Sequence, residues 1–492
     1  MSPRPWLAAA AVLGSAGVIL SSPPAQAAGP VLQIPSAEDF DPSLTGANAT
    51  SGPLGFLNGI ERRELLLGDM GGLRTWMSRY GISFAALETA EVLGNATGGA
   101  QRGAAVDGLL QMALQVDTNR AFGWYGGTFN VSALNTQGTN LSSNNLLTLQ
   151  TASGIEADRS VRLWELWYQQ KFLEEDRLDI RVGQQSADQE FMVTNNGLYF
   201  VNTMFGWPML PSANLPGGGP AYPLSAPAVR VRYKPIDSIT LLAGVFSGAS
   251  VRNNYGDPQQ RNPSGTSFPF NQGTLSIAEI QYAYPALGGM INPDESEPLA
   301  RIYRLGVWYN NQSFPDQALD NMGVSLASPA SNGVPITHYG NWGIYAVADQ
   351  IVWVDPKEND RTVSVFGRVM GSPQGNRNLI SVSLNAGILV HEPILHRDDD
   401  TFGIAMGYTH VTSSASALDA ATNTYNGQPA IPIRGGETFL EVTYQYQLAP
   451  WIQLQPDLQY VFNPGAGVAN PNDPAQRVRN ELVLGLRTNI TF

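Results

Sequence analysis

Charged and aromatic side chains occupy every second position along several stretches of this chain. Glu165 and Trp167 form one such pair, and Arg230 and Arg232 form another. Successive side chains of a β-strand point to opposite faces, so residues two apart share a face. Carboxylate, guanidinium and indole groups on one face can hydrogen-bond a polar solute and stack against it. The same alternation gives further polar members of such faces, namely Asp179, Arg181, Lys234, Glu437, Glu441, Asp457 and Arg487.

The long segment 185–225 adds more groups of this kind and has no strand pattern of its own. Loops of this length are usually functional or disordered, and the aromatic content of this one argues against disorder. We weigh two arrangements, in which the segment either folds inward and narrows an opening or lies outside. The candidate solute-contacting residues are therefore Glu165, Trp167, Arg181, Asp188, Glu190, Asn202, Trp207, Arg230 and Arg232. The alternative for each of them is membership of a generic wetted wall.

Motifs for catalysis and metal binding are weak. Two histidines five residues apart begin and end the segment His391–His396, whereas a zinc-binding helix requires a spacing of four, and Pro393 disfavours that helix. The segment 398–400 holds three aspartates, which we interpret as a solvated turn. No Gly-x-Ser-x-Gly elbow or Gly-rich phosphate loop occurs. We expect no metal, no cofactor and no enzymatic activity; a barrel-borne lipid hydrolase using one of the four histidines is the enzyme alternative.

Composition narrows the class of partner. The net charge is −13 and the basic residues form no block, which argues against nucleic acid. Cysteine is absent, so the chain has neither a disulfide framework nor a thiolate metal site.

Period-two alternation of apolar and polar residues predicts an all-β fold with sixteen strands. Long and short linkers mostly alternate between them, with 285–300 as the exception. An even strand count with long loops at one end is typical of a closed antiparallel barrel in the outer membrane of a Gram-negative bacterium. A soluble β-sandwich has no reason to keep its long loops at one end. The predicted strands are 80–93, 105–118, 124–134, 161–172, 176–184, 226–234, 237–247, 274–284, 301–310, 338–354, 360–369, 378–391, 398–411, 437–447, 450–461 and 480–492.

The N-terminal residues are predicted to lie outside this barrel. Residues 1–27 combine Arg4, a short apolar run and a small-residue cleavage site, which is the pattern of a signal peptide. Residues 28–75 are interpreted as a flexible periplasmic extension with short helical turns. The barrel domain is then 76–492.

Several segments from about residue 65 onward resemble the carbohydrate-selective (OprB-like) porin family. They include Leu163–Gln170, the run Arg181–Gln184, the segment Phe205–Pro208 and the hairpin Pro450–Tyr460. Departures such as Met70 and Gln184 leave the solute preference open. The resemblance implies a sixteen-stranded outer-membrane channel that passes glucose and related small sugars without energy input.

The alternative within the same class is a general or anion-leaning diffusion porin, for which Arg181, Arg230, Arg232 and Lys234 would supply a cationic ladder. The expected partners are small sugars as transported solutes and outer-membrane lipid. Both a monomer and a homotrimer are compatible with the sequence.

Overall fold

The computed structural model of the chain describes residues 64–252, 256–285, 299–356, 361–394, 397, 399–426 and 430–492, together with residues 32, 34 and 35. The predicted signal peptide 1–27 lies outside the described residues, as does most of 28–63. No helix in the described part of the chain is long and apolar enough to cross a membrane.

Sixteen antiparallel strands close into one barrel, in which each barrel strand pairs with the barrel strands before and after it in the chain and the first pairs with the last. Strands β16 (Ala469–Asn470) and β17 (Asp473–Arg477) form a separate small hairpin. The barrel strands are β1 (Ile82–Gly99), β2 (Gly103–Asp117), β3 (Gly127–Gln137), β4 (Ser160–Phe172), β5 (Leu178–Gln185), β6 (Ala226–Ile236), β7 (Ile239–Ser247), β8 (Thr274–Tyr284), β9 (Arg301–Asp320), β10 (Pro335–Val354), β11 (Thr362–Gly371), β12 (Ile380–His391), β13 (Thr401–Val411), β14 (Gly436–Ala449), β15 (Ile452–Phe462) and β18 (Arg479–Thr491).

Helical segments are short and lie in the connections. The helices are α1 (Leu73–Ser78), α2 (Thr118–Phe122), α3 (Met209–Asn214), α4 (Pro258–Arg261), α5 (Ser413–Asn426) and α6 (Pro464–Gly467). Single 3-10 turns are Met70–Gly72, Glu174–Asp176, Ala187–Gln189, Asn196–Tyr199, Thr203–Phe205 and Pro216–Gly218, and one π turn is Ser142–Leu146.

The predicted closed barrel of sixteen strands is confirmed, and all sixteen predicted strands are present. The largest boundary error concerns β9, which continues ten residues beyond its predicted end at 310. That extension pairs with the start of β10, as in the register of Phe314 with His338. It was missed because polar residues such as Asn311 and Gln312 interrupt the apolar alternation on which the prediction relied.

The two faces of each strand differ as the alternation predicts. Val106 of β2 is 64% exposed, whereas the next residue, Asp107, is 2% exposed. Outward positions carry apolar side chains, and inward positions carry most of the buried charges. Because lipid cannot hydrogen-bond a backbone, closing the sheet on itself satisfies every strand edge.

The segment before β1 joins the two ends of the barrel sheet. The Leu66 amide donates to Thr491 O at 2.8 Å. The buried Arg74 guanidinium on α1 donates to Phe84 O on β1 at 2.5 Å and to Phe492 O at 2.6 Å. Arg74 therefore bridges the seam where β1 meets β18.

This seam contact gives a stability prediction. We expect Arg74→Met to destabilise the barrel by about 2 kcal/mol, because two carbonyls lose a charged donor. The measurement is an SDS gel of samples heated to increasing temperatures. The temperature at which the band of the folded barrel disappears should fall. Arg79→Met, at an exposed position just after α1, is the matched control and should leave it unchanged. Equal temperatures for both variants would contradict the proposed role of Arg74.

Candidate functional site

The loop between β5 and β6, residues 186–225, folds into the barrel. Its aromatic side chains are buried against inward-facing rings of distant strands. Phe191 lies 6.1 Å from Phe246 of β7, and Phe205 lies 5.4 Å from Phe439 of β14, between ring centroids. A Cβ at Gly403 of β13 would come within 2.7 Å of the Phe200 ring, so glycine there makes room for the loop. The inward of the two arrangements considered for this loop is therefore the one observed.

Carboxylates of the wall bind the amide groups of this loop. Glu279 of β8 accepts from Met192 N at 3.0 Å. Asp349 of β10 accepts from Asn195 N and Asn196 N at 3.2 and 3.1 Å. Two further amides donate to Glu441 of β14, those of Val201 at 2.5 Å and Asn202 at 3.1 Å. A buried amide without a partner costs free energy, and these acids remove that cost.

A single arginine binds the carbonyls of the same loop. Arg368 of β11 is 2% exposed and donates to Met192 O and Gly206 O, each at 2.7 Å, and also to Met204 O. Its five donors in a planar fork suit such a convergent set of acceptors. Carboxylates and a guanidinium thus bind opposite ends of the loop's peptide dipoles.

A second loop, residues 138–159 between β3 and β4, also folds inward, which the sequence analysis did not anticipate. Glu437 of β14 accepts from Thr148 Oγ1, Leu149 N and Gln150 N at 2.7–2.9 Å. The two inward loops also bind each other, since Gly154 N donates to Val201 O at 2.9 Å. The sequence signal for this inward folding was a set of leucines in a segment predicted to be a long linker. Two of these leucines, Leu141 and Leu146, are fully buried.

A charged cluster lies on the inner faces of β4, β5 and β6, where the first loop returns to the wall. Glu190 of the loop pairs with Arg181 and Arg230, each at 2.6 Å. Arg230 also pairs with Asp179, which binds Arg232 at 2.5 Å. Gln169 of β4 accepts from both Arg181, at 2.8 Å, and Arg230, at 3.1 Å. The cationic ladder considered in the sequence analysis is therefore interleaved with acids.

An aromatic ring and two further carboxylates adjoin this cluster. The Arg181 guanidinium lies 3.9 Å from the Trp167 ring centre. Trp167 Nε1 donates to Glu165 at 3.2 Å, and Ser186 N donates to the same carboxylate at 3.0 Å. Ser186 Oγ binds Asp188 at 2.5 Å, which links Asp188 to the group. Burial raises the pKa of the Asp188 carboxyl to about 6.

Seven of the nine candidate residues thus form one connected group: Glu165, Trp167, Arg181, Asp188, Glu190, Arg230 and Arg232. The other two lie elsewhere in the loop. Asn202 is fully buried, and its side chain donates to Gln459 of β15 at 3.0 Å. Trp207 donates from Nε1 to Gly218 O at 2.8 Å. These contacts hold the loop in shape.

The histidine and aspartate motifs are used in structural contacts. His391 Nδ1 is 3.0 Å from Thr401 Oγ1, while His396 and Asp398 lie outside the described residues. Asp400 binds Arg397 at 2.5 Å and Tyr444 at 2.7 Å, so this end of the aspartate run caps a turn rather than standing in solvent. Within the described residues, no three His, Asp or Glu side chains are arranged to hold a metal ion.

The arginine anchor generates a prediction. Arg368→Met would leave three loop carbonyls without their donor, which should weaken docking of the loop by on the order of 3 kcal/mol. We expect a larger and noisier single-channel conductance in a planar bilayer. Arg102→Met, at an exposed position in the β1–β2 turn, serves as the control. An unchanged conductance in Arg368→Met would show that the loop docks without this anchor.

The second loop has a pH dependence that can be measured. Glu156 accepts from Ser142 Oγ at 2.9 Å, and burial raises the pKa of its carboxyl to about 8. Its ordinary value is 4.5, so the docked loop favours the protonated form. The stability that protonated Glu156 contributes to the docked loop is therefore fully present below about pH 4.5 and is lost as the pH rises through 8.

We therefore expect current noise from this loop to grow between pH 6 and pH 9 in the wild type. Glu156→Gln should give a smaller increase, because its amide does not titrate. The comparison requires only single-channel recordings of both proteins at the two pH values. A wild-type increase matched in full by Glu156→Gln would assign the pH effect to another group.

Comparison with known proteins places this geometry among channels. The model of the OprB family of carbohydrate-selective porins matches residues 101–492. Porin B of Pseudomonas aeruginosa is 24% identical over 446 residues, covering 87% of this chain and 91% of that protein.

Two solved structures share the fold. The high-pH structure of Pseudomonas putida OprB has a TM-score of 0.74 at 22% identity, covering 88% of this chain and 99% of that one. The low-pH structure of the same protein gives 0.52 at 16% identity with the same coverage. With the family model spanning more than half of the sequence, the chain belongs to the carbohydrate-selective porin family, OprB type.

Proposed function

We propose that this outer-membrane barrel conducts small neutral sugars such as glucose by passive diffusion, and that the charged cluster of β4–β6 forms part of the solute path. The observation that carries the proposal is the pairing of charges within that cluster. Each of its arginines contacts a carboxylate, so the wall offers donors and acceptors without a strong net field. Neutral solutes with many hydroxyl groups suit such a wall better than inorganic ions do.

Exposure distinguishes the members that a solute can reach. The side chains of Glu190 and Arg232 are 13% and 14% exposed, whereas Arg230 and Asp179 are each 1% exposed. Glu190 and Arg232 would therefore contact the solute, and the more buried pair would hold them in place. Weak contacts of this kind permit release, which conduction requires.

The proposed mechanism involves no reaction. A sugar entering the narrowed lumen would exchange part of its hydration for hydrogen bonds to guanidinium and carboxylate groups. The Trp167 ring lies against Arg181, so aromatic surface adjoins these charged groups. The solute then leaves down its concentration gradient.

Single-channel conductance in a planar bilayer tests the proposal directly. Glucose should reduce the current in a saturable manner, whereas a non-sugar solute of equal size should not. If both solutes act alike, the general-porin alternative replaces the sugar path. Incubation of the purified protein with phospholipid micelles tests the lipid-hydrolase alternative, and we expect no fatty acid release.

Glu190 provides a sharper prediction about selectivity. In Glu190→Gln, two arginines lose their shared carboxylate, so we expect a shift towards anion permeability and roughly tenfold weaker glucose block. Reversal potentials in a salt gradient and the glucose titration measure the two effects. Glu174→Gln, in the exposed β4–β5 turn, makes the same chemical change away from the lumen and should have neither effect.

A further inference from the structure

Amide side chains form a row across β14, β15 and β18, far from the charged cluster in the strand order. Gln447 of β14 pairs in register with Gln453 of β15, and Gln453 pairs with Asn489 of β18. Gln445 precedes Gln447 by two positions and therefore lies on the same strand face. These four residues are called the amide row. All four are partly exposed.

The amide row faces the lumen. Thr443, Gln455 and Arg487 each lie two positions from a member of the row on the same strand, and each is at most 3% exposed. Strand alternation places the row on that inner face as well. Gln453 is the second residue of β15, and Asn489 lies two residues before the end of β18.

These strand ends belong to the periplasmic mouth of the barrel. The turn between β14 and β15 contains only residues 450 and 451. Short turns of outer-membrane barrels lie on the periplasmic side, and long loops lie on the outside. A solute that has passed the inward loops therefore meets the amide row as it leaves.

Hydrogen bonds connect the row into one chain. Thr89 Oγ1 of β1 donates to Asn489 Oδ1 at 3.1 Å, and Asn489 Nδ2 donates to Gln453 Oε1 at 3.0 Å. Gln453 Nε2 lies 3.3 Å from both Gln445 Oε1 and Gln447 Oε1. An amide has two N–H donors and an oxygen with two lone pairs. Among the described residues Asn489 has no further side-chain partner, so one N–H and one lone pair remain for a solute.

The row carries no charge, and the nearest guanidinium on its face is already paired. Arg487 binds Glu91 of β1 at 3.0 Å, and both side chains are at most 4% exposed. Neutral amides offer little to an inorganic ion. A hydroxyl group both donates and accepts, so it can join a chain of amides at either end of the dipole.

The inward loop brings an aromatic residue to the row. The Tyr199 carbonyl accepts from Gln445 Nε2 at 3.1 Å and from Gln455 Nε2 at 2.8 Å. Tyr199 is partly exposed, and its ring centroid lies 5.2 Å from that of His391. A tyrosine offers apolar surface beside a polar group. Amides and an aromatic residue thus occur together at this mouth.

We propose that the amide row is a second binding site for neutral sugars, through which the solute passes after the charged cluster of β4–β6. The inference rests on the proposed function and extends it to a separate, uncharged site. Sugar hydroxyls would accept from the remaining N–H of Asn489 and donate to the amide oxygens of Gln445 and Gln447. Because these bonds involve no charge, they hold the solute weakly and allow it to leave.

Glucose block of single-channel current in Gln453→Leu is the first test. This change removes the amide that bonds to the other three members of the row. The glucose concentration for half-maximal block should rise about fivefold. A non-sugar solute of equal size should act on Gln453→Leu as it does on the wild type.

Gln115→Leu is the matched control. Gln115 is also a partly exposed amide on an inner strand face, two residues before the end of β2, but it bonds Asn130 and lies outside the row. Its half-blocking glucose concentration should equal that of the wild type. The folded band on an SDS gel of unheated samples establishes that each variant forms the barrel.

Gln453→Glu provides a readout that does not involve glucose. It keeps the shape of the side chain and adds a negative charge, so the reversal potential in a salt gradient should shift towards cation permeability. Glucose that fails to reduce the wild-type current overturns the proposed function and this site with it. Wild-type block that persists unchanged in Gln453→Leu, or an unshifted reversal potential in Gln453→Glu, overturns the amide row alone.

Discussion

The backbone amides and carbonyls of a loop folded inside a barrel need hydrogen-bond partners, and that requirement organises this molecule. Residues 186–225 contain only short helical turns, so many of their amides and carbonyls need partners from elsewhere. The wall supplies them in chemically matched form: acids such as Asp349 and Glu441 bind amides, and Arg368 binds carbonyls. The narrowing of the lumen depends on these contacts.

The inward-facing charges of the barrel consequently serve two purposes. Those on β8, β10, β11 and β14 form hydrogen bonds with the backbone of the two loops and hold the loops in place. Those on β5 and β6 pair with each other and with Glu190 of the first loop. A polar inner face therefore does not by itself identify a solute path, because some of its charges bind the backbone of the loops.

Sequence reasoning predicted the strands well because one face of each strand contacts lipid and the other faces the polar interior, which imposes period-two alternation. It failed at β9 beyond residue 310, where polar residues interrupt that alternation. It identified Glu165, Trp167, Arg181, Arg230 and Arg232 of the charged cluster because their spacing put them on shared strand faces. It identified Asp188 and Glu190 only as polar members of the long loop. It could not separate Asn202 or Trp207 from that cluster, since their positions follow from the loop's turns. Inward folding of 138–159 depends on contacts such as Glu437 with Gln150, 287 residues apart, which no local pattern encodes.

The distance along the chain between the first loop and its anchors sets an order of assembly. Met192 binds a carboxylate 87 residues later, and Val201 binds one 240 residues later. All of the side chains that bind the loop are present together only after β8 to β14 have joined the barrel. We therefore expect the lumen to narrow late in assembly, after the strands that carry these anchors have joined the barrel.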